Sequence, residues 1–104
     1  MGDNRNGFVN QIYDKYENDY NGDLIGRAVL IASEIKQTIG GKAVVGFICD
    51  KELKKTPHVW VECAGEDIDP IFSNEYSGAV KIIVHKDQET FEMVVNFYKP
   101  WRVK

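Results

Sequence analysis

The sequence predicts an α+β domain in which two N-terminal helices precede an antiparallel sheet of about five strands, with the helices packed on one face of the sheet. Apolar residues recur at helical spacing as far as Ile39, and from Lys42 onward their spacing becomes that of strands. Short polar segments separate the predicted strands, which favours antiparallel pairing through hairpins.

The helical part of the chain divides into two segments. The first predicted helix covers residues 7–20, and residues 1–6 before it are expected to be flexible. Its apolar side chains recur every fourth residue: Phe8, Ile12, Tyr16 and Tyr20. The second helix is predicted after Asp23, which can cap its N-terminus, and Gly40 and Gly41 end it. Its apolar stripe consists of Leu24, Ala28, Ile31, Ala32, Ile35 and Ile39.

The remainder of the chain reads as strands and turns. The five predicted strands cover residues 43–49, 58–63, 67–71, 79–86 and 91–98. A polar loop at residues 50–57 separates the first two, and a tight Ala64-Gly65 turn separates the second from the third. Residues 72–78 are expected to be a connection without regular structure, and residues 87–89 to join the last two strands.

Length and composition indicate a single folded domain over residues 1–104. The hydrophobic content of 43% excludes a disordered chain. A net charge of −3 gives no general attraction to nucleic acid or to anionic membranes. No apolar run approaches the roughly 20 residues that span a bilayer, and the N-terminus lacks the apolar core of a signal peptide. We therefore expect a cytoplasmic protein with neither a nucleic-acid nor a membrane partner.

The two cysteines, Cys49 and Cys63, are expected to be free thiols, since two cysteines do not make a disulfide framework. Neither belongs to a C-x-x-C unit, and the two histidines stand alone in the sequence. A structural zinc site needs four ligands at characteristic spacing. We expect neither a metal ion nor another cofactor.

His58 and Asp69 are the residues that most clearly suggest chemistry. Side chains alternate along a strand, so His58 shares one face with Trp60 and Glu62. A turn at Ala64-Gly65 sets position 60 opposite position 69, which makes Asp69 a diagonal neighbour of His58, about 7–8 Å away at the backbone. A histidine oriented by a carboxylate is half of a nucleophilic acyl-transfer site.

The segments around this pair resemble the transglutaminase-like superfamily of papain-type thiol enzymes. In that family the histidine opens a strand reading H-x-W-V-E, and here the segment is His58-Val59-Trp60-Val61-Glu62. The family's aspartate closes the next strand in D-P-T, and here the segment is Asp69-Pro70-Ile71. The resemblance covers residues 20–72. It implies an α+β fold and, for His58 and Asp69, the roles of general base and orienting acid.

The family's nucleophile is missing from the matching position. The family's cysteine begins a helix in a G-x-C-x-x-x-A context, and aligning Gly22 and Ala28 with it places Leu24 at the nucleophile. A helix N-terminus lowers the pKa of a thiol, but leucine has no group that can attack a carbonyl. The resemblance therefore implies a degenerate scaffold and favours a protein that is not an enzyme.

Cys49 is the alternative nucleophile. If the strands on either side of residues 50–57 pair symmetrically, Cys49 faces His58 directly. A thiol in the middle of a sheet lacks an activating helix terminus, and the simpler interpretation is a small buried apolar side chain. Cys63 points away from His58, because it lies on the other face of the strand.

Other residues are candidates for binding rather than catalysis. Trp60, in the middle of a strand, is expected to pack in the core, and Glu62 has no catalytic role. Both remain tentative binding residues, as does Leu24. Trp101 follows the last predicted strand and a proline, so it either folds onto the core or anchors a partner.

The sequence leaves three functions open. The first is a non-catalytic protein-interaction module on the degenerate scaffold, by analogy a phage-type or host-directed modulator. The second is a thiol hydrolase or acyltransferase that uses Cys49 with His58 and Asp69. The third is a subunit of a larger assembly, which contacts its partner through exposed strand edges or Trp101.

Overall fold

The computed structural model describes residues 4–98, apart from the side chains of residues 4–6 and 21. It confirms the α+β class with an antiparallel sheet, although the sheet has four strands rather than about five. The elements in chain order are helix α1 (Asn4–Lys15), a 3-10 turn (Asp19–Gly22), α2 (Leu24–Ile39), β1 (Lys42–Cys49), β2 (Lys55–Cys63), β3 (Glu66–Ile68), α3 (Pro70–Glu75), β4 (Val80–His85) and α4 (Gln88–Tyr98).

The strand order is β3-β2-β1-β4, and every neighbouring pair is antiparallel. The β1–β2 pairing runs from Lys42 opposite Glu62 to Cys49 opposite Lys55. β4 does not follow β3 as a hairpin, since it pairs with the free edge of β1 at the other side of the sheet. The chain between β3 and β4 therefore crosses two strands.

α2 forms as its sequence predicts. The Asp23 side chain accepts a hydrogen bond from the Gly26 amide at 3.1 Å, and Gly40 ends the helix with a φ of 95°. The buried stripe of α2 packs against Ala43 of β1 and Val59 and Val61 of β2. Full burial of an aliphatic side chain contributes about 1.5–3 kcal/mol, so this interface is the main core of the domain.

The first helix is placed earlier than predicted. α1 covers Asn4–Lys15 rather than residues 7–20, and a 3-10 turn follows it at Asp19–Gly22. Asn18 and Asp19, which favour turns over helix, lie between the end of α1 and Tyr20 and explain why the helix does not reach it. Residues 1–3 lie outside the described part of the chain. Between residues 4 and 98, no helix is both long and apolar enough to cross a bilayer.

The prediction of a strand at residues 91–98 is wrong, because this segment is helix α4. Asp87 caps it, since its carboxylate accepts hydrogen bonds from the amide and the hydroxyl of Thr90. The side chains that turn toward the core are spaced by three and four residues: Phe91, Val94, Val95 and Tyr98. α4 thus packs beside α2 on the same face of the sheet.

The predicted irregular connection at residues 72–78 also needs correction, because it contains most of α3. Asp69 is the N-cap of this helix and accepts a hydrogen bond from the Phe72 amide at 3.2 Å. Pro70 occupies the first helical position, where its lack of an amide hydrogen costs nothing. The third predicted strand accordingly stops at Ile68.

The sheet face turned away from α2 carries a second, smaller buried group. Val44, Ile48 and Trp60 are at most 2% exposed and lie outside the cluster formed with α2. Gly46 is needed here, because a Cβ atom at this position would lie 1.9 Å from the carbonyl oxygen of Ile82 in β4. This close approach brings β4 against the strand pair that holds the candidate site.

Candidate functional site

His58 and Asp69 meet on this second face. His58 is opposite Gly46 in β2, and Asp69 follows β3, whose register sets Val61 opposite Ile68. The imidazole Nε2 lies 2.9 Å from Asp69 Oδ2 and 3.0 Å from Oδ1. The spatial proximity predicted from the turn between the two strands is therefore present.

Lys81 completes a buried ionic group with this pair. Its Nζ donates a hydrogen bond to Asp69 Oδ2 at 3.0 Å and forms an ion pair with Asp67 Oδ2 at 2.8 Å. The side chain of Lys81 is only 9% exposed, although β4 is an edge strand. Asp69 thus joins three elements, because it contacts β2 through His58, β4 through Lys81 and α3 through the Phe72 amide.

The electrostatics of the group keep Asp69 ionised. Burial alone raises the pKa of Asp69, but the hydrogen bond and charge of His58, together with the charge of Lys81, outweigh burial and lower this pKa. An ionised carboxylate only accepts hydrogen bonds, so His58 Nε2 carries a hydrogen and donates a hydrogen bond to Asp69. The other ring nitrogen, Nδ1, remains for any further chemistry.

His58 Nδ1 is buried and has no hydrogen-bonding partner within residues 4–98. The His58 side chain is 0% exposed and the Asp69 side chain 5%. A general base must lie within hydrogen-bond reach of the proton it removes. No hydroxyl or thiol of the described residues meets that condition at Nδ1.

Trp60 covers the imidazole. The two rings are stacked with centroids 5.5 Å apart, and the Lys81 ammonium lies 4.5 Å from the indole centroid. The expectation that Trp60 lies in a core is correct, since it is 2% exposed, but its face of β2 is turned away from α2. The tryptophan therefore presents no surface to a partner. Its indole Nε1 is buried and lacks a hydrogen bond to any described residue.

Cys49 is not opposite His58. The register places Cys49 opposite Lys55, while His58 is opposite Gly46. Opposite residues share a face, so Cys49 is on the other face of the sheet from His58. Its thiol lies 3.8 Å from the Asp50 carbonyl oxygen. The symmetric pairing considered for a Cys49–His58 dyad is thus contradicted.

The remaining candidate residues are distributed over the molecule. Leu24, the first residue of α2, is half-buried and packs against the main core. Glu62 is half-buried, and its carboxylate binds Lys86 at 3.2 Å and 3.3 Å. Trp101 lies outside the described residues. Neither Leu24 nor Glu62 is hydrogen-bonded to the His58–Asp69 pair within residues 4–98.

Lys81 and Phe72 are members of the site that the sequence did not suggest. The Lys81 ammonium lies 4.7 Å from the Phe72 ring centroid as well as near Trp60. A single lysine in the otherwise apolar segment Val80–Val84 was the available signal. A second ion pair, between the buried Arg27 and the exposed Glu75 at 3.0 Å, links α2 to α3. Neither feature follows from local sequence pattern.

Comparison of the chain with family models, with curated proteins and with solved structures found no match. Within the described part of the chain, no group of three or more His, Cys, Asp or Glu side chains is arranged to hold a metal ion. The buried Asp69 carboxylate and the partly exposed Asp67 carboxylate already have the Lys81 ammonium as their cation.

The lowered pKa of Asp69 predicts an acid-dependent loss of stability. The contribution of this carboxylate is complete above its ordinary pKa of 3.8, and is lost as the pH falls below that value toward the lowered folded pKa. We expect the stability difference between the wild type and Asp69→Asn, measured by urea unfolding, to shrink as the pH falls below about 4. A constant difference across this range would contradict the assignment.

Proposed function

We propose that this domain is a non-catalytic protein-interaction module on a degenerate transglutaminase-like scaffold. One observation carries the proposal: the His58 imidazole is 0% exposed, and its Nδ1 faces no nucleophile among the described residues. Asp69 orients His58 as it would in an enzyme, but it also binds Lys81 and caps α3. In this proposal the His58–Asp69 pair has a structural role.

Exposed apolar surface supports the interaction role. Large exposed apolar side chains in the described residues are concentrated on β4 and α4, and we call this group the β4–α4 surface. Its members are Val80, Ile82, Ile83, Val84, Met93 and Phe97. Contiguous apolar patches on a protein surface commonly mark interaction sites. This surface is separate from the buried His58–Asp69 pair.

Reactivity of the thiols tests the non-catalytic assignment. We expect Cys49 and Cys63 in the native protein to react with iodoacetamide no faster than an unactivated thiol of similar exposure, because neither thiol pairs with His58. An activated ester should leave no acyl adduct on either residue. The measurement is mass spectrometry of labelled protein over time.

Matched variants assign any labelling to one residue. Cys49→Ala and Cys63→Ala each retain a single thiol, so their labelling rates separate the two positions. His58→Gln keeps a side chain of similar size and removes the base. Rapid acylation of Cys49 that disappears in Cys49→Ala and slows in His58→Gln, with both variants folded by circular dichroism, would overturn the proposal in favour of a thiol acyltransferase.

A further inference from the structure

β4 is an edge strand with little protection. The outer edge of β4 pairs with no strand among residues 4–98, so no described strand satisfies its amide and carbonyl groups on that side. Edge strands are normally kept short or carry exposed charges, which prevents pairing with other chains. The opposite edge strand follows this rule, because β3 is the short segment Glu66–Ile68 with two acidic residues. In β4 Val80, Ile82, Ile83 and Val84 are all exposed.

The lysine that would protect this edge is directed elsewhere. Lys81 is the sole charged residue between positions 80 and 84, and its ammonium is held inside by Asp67 and Asp69. A β-bulge at Val84, where the register with β1 shifts, is the remaining protective feature. The edge therefore presents an apolar strand without exposed charge from Val80 to Ile83.

α4 extends the apolar surface beside β4. α4 lies over β1, and α2 lies on the side of α4 toward β2. Glu92 and Val95 are on the side of α4 that faces α2, where the two helices line a groove. Phe97 lies on the opposite side of the helix, with Met93 one turn before it. This is the β4 side of the helix, because β4 and β2 flank β1 on opposite sides. The exposed fractions are 67% for Met93 and 63% for Phe97.

The area of the β4–α4 surface suits a dimer. With about 150–200 Å² for each fully exposed side chain, the exposed fractions amount to roughly 500–650 Å² per copy. Two copies would bury at most roughly 1,000–1,300 Å² of this surface, which reaches the lower limit of about 1,000 Å² for a specific interface. Backbone hydrogen bonds between paired edges would add to this area.

We propose that two copies of this chain associate through β4, antiparallel across a two-fold axis, so that one sheet continues through both copies. The inference rests on the proposed interaction function and names its partner. Charge favours a second copy as the partner. Self-pairing of an edge sets like charges against each other, but the single lysine of this segment is already neutralised inside each copy, so no such repulsion arises from it. Apolar residues then meet apolar residues on both sides of the axis.

The oligomeric state of the full chain tests the dimer. Light scattering after size exclusion, with a reducing agent to keep both cysteines free, is expected to give twice the chain mass of 11.9 kDa. Ile83→Lys should raise the dimer dissociation constant at least about 100-fold, because each copy loses an apolar contact and gains a charge at the paired edge. Leu53→Lys is the matched control, since Leu53 is 79% exposed on the loop between β1 and β2. It should remain dimeric.

Three results would overturn the inference: a monomeric wild type up to about 1 mM, a dimer that survives Ile83→Lys, or equal dissociation in both lysine variants. If residues 99–104 or a different protein occupied this edge, the isolated wild type would be monomeric. Hydrogen exchange of the wild type tests the same point without a variant. The amides of Val80–His85 that point away from β1 should exchange more slowly at high than at low protein concentration, whereas those of β3 should not change.

The two proposals can fail separately. A monomer would remove the dimer, and the thiol measurements on Cys49 and Cys63 would still decide whether the domain is catalytic. An acyl adduct that depends on Cys49 and His58 would remove the non-catalytic assignment whatever the oligomeric state.

Discussion

Replacement of Asp69 by alanine is expected to lower the free energy of unfolding by about 3–5 kcal/mol, the cost of removing one partner from a buried ion pair. The variant leaves the Lys81 ammonium and the His58 ring without their shared carboxylate. It also removes the N-cap of α3, which alone is worth about 1 kcal/mol. Urea unfolding at neutral pH, followed by circular dichroism, measures the loss.

Asp67→Ala is the matched control for this prediction. Asp67 also binds Lys81, at 2.8 Å, but its side chain is 43% exposed. Within residues 4–98 it has no hydrogen bond to His58 or to α3. We expect a loss of at most about 1 kcal/mol, as for other exposed ion pairs. Similar losses in Asp67→Ala and Asp69→Ala would show that Lys81 pairing alone, and not the junction at Asp69, stabilises this face.

The contact between His58 and Asp69 was predictable because a short turn determines it. Ala64 and Gly65 both have positive φ values and join β2 to β3 directly. Such a turn fixes the register, and the register carries Asp69 to His58. Lys81 was not predictable in the same way. It arrives from β4, whose position beside β1 depends on pairing between distant parts of the chain.

The Cys49–His58 register was wrong because the loop after β1 is tighter than its polar composition suggests. The Asp50 carboxylate accepts hydrogen bonds from the amides of Glu52 and Lys54, and the Asp50 amide donates to the Lys54 carbonyl. Leu53 adopts a φ of 66° to close the turn. β2 therefore begins at Lys55, and its pairing with β1 moves Cys49 away from His58.

The segment after Asp87 shows how two periodicities can coexist. Phe91, Met93, Val95 and Phe97 alternate as in a strand, whereas Phe91, Val94, Val95 and Tyr98 follow the helical period. The structure buries or half-buries the second set and exposes Met93 and Phe97. The deciding signal was the cap, because Asp87 three residues before Thr90 satisfies the first free amides of a helix.

Replacement of Trp60 by alanine is expected to cost about 3–5 kcal/mol in unfolding free energy, as for other buried tryptophans. The indole is 2% exposed, and it covers both the His58 ring and the Lys81 ammonium. Its removal would open a cavity over Gly46 and admit water to the buried ion pairs. The expected signs are a lower urea midpoint and faster hydrogen exchange in β1 and β2.

Trp60→Phe distinguishes the contribution of an aromatic face at this position from that of the indole Nε1. Phenylalanine keeps an aromatic face for His58 and Lys81, and it removes the indole Nε1, which is buried without a hydrogen bond to any described residue. Relief of that unpaired donor offsets part of the lost volume, so we expect a cost of only about 1–2 kcal/mol. A loss as large as that of Trp60→Ala would contradict this account, because it would mean that Nε1 forms an essential hydrogen bond. In that case the second face of the sheet would hold a polar partner, and the buried pair beneath Trp60 would no longer be purely structural.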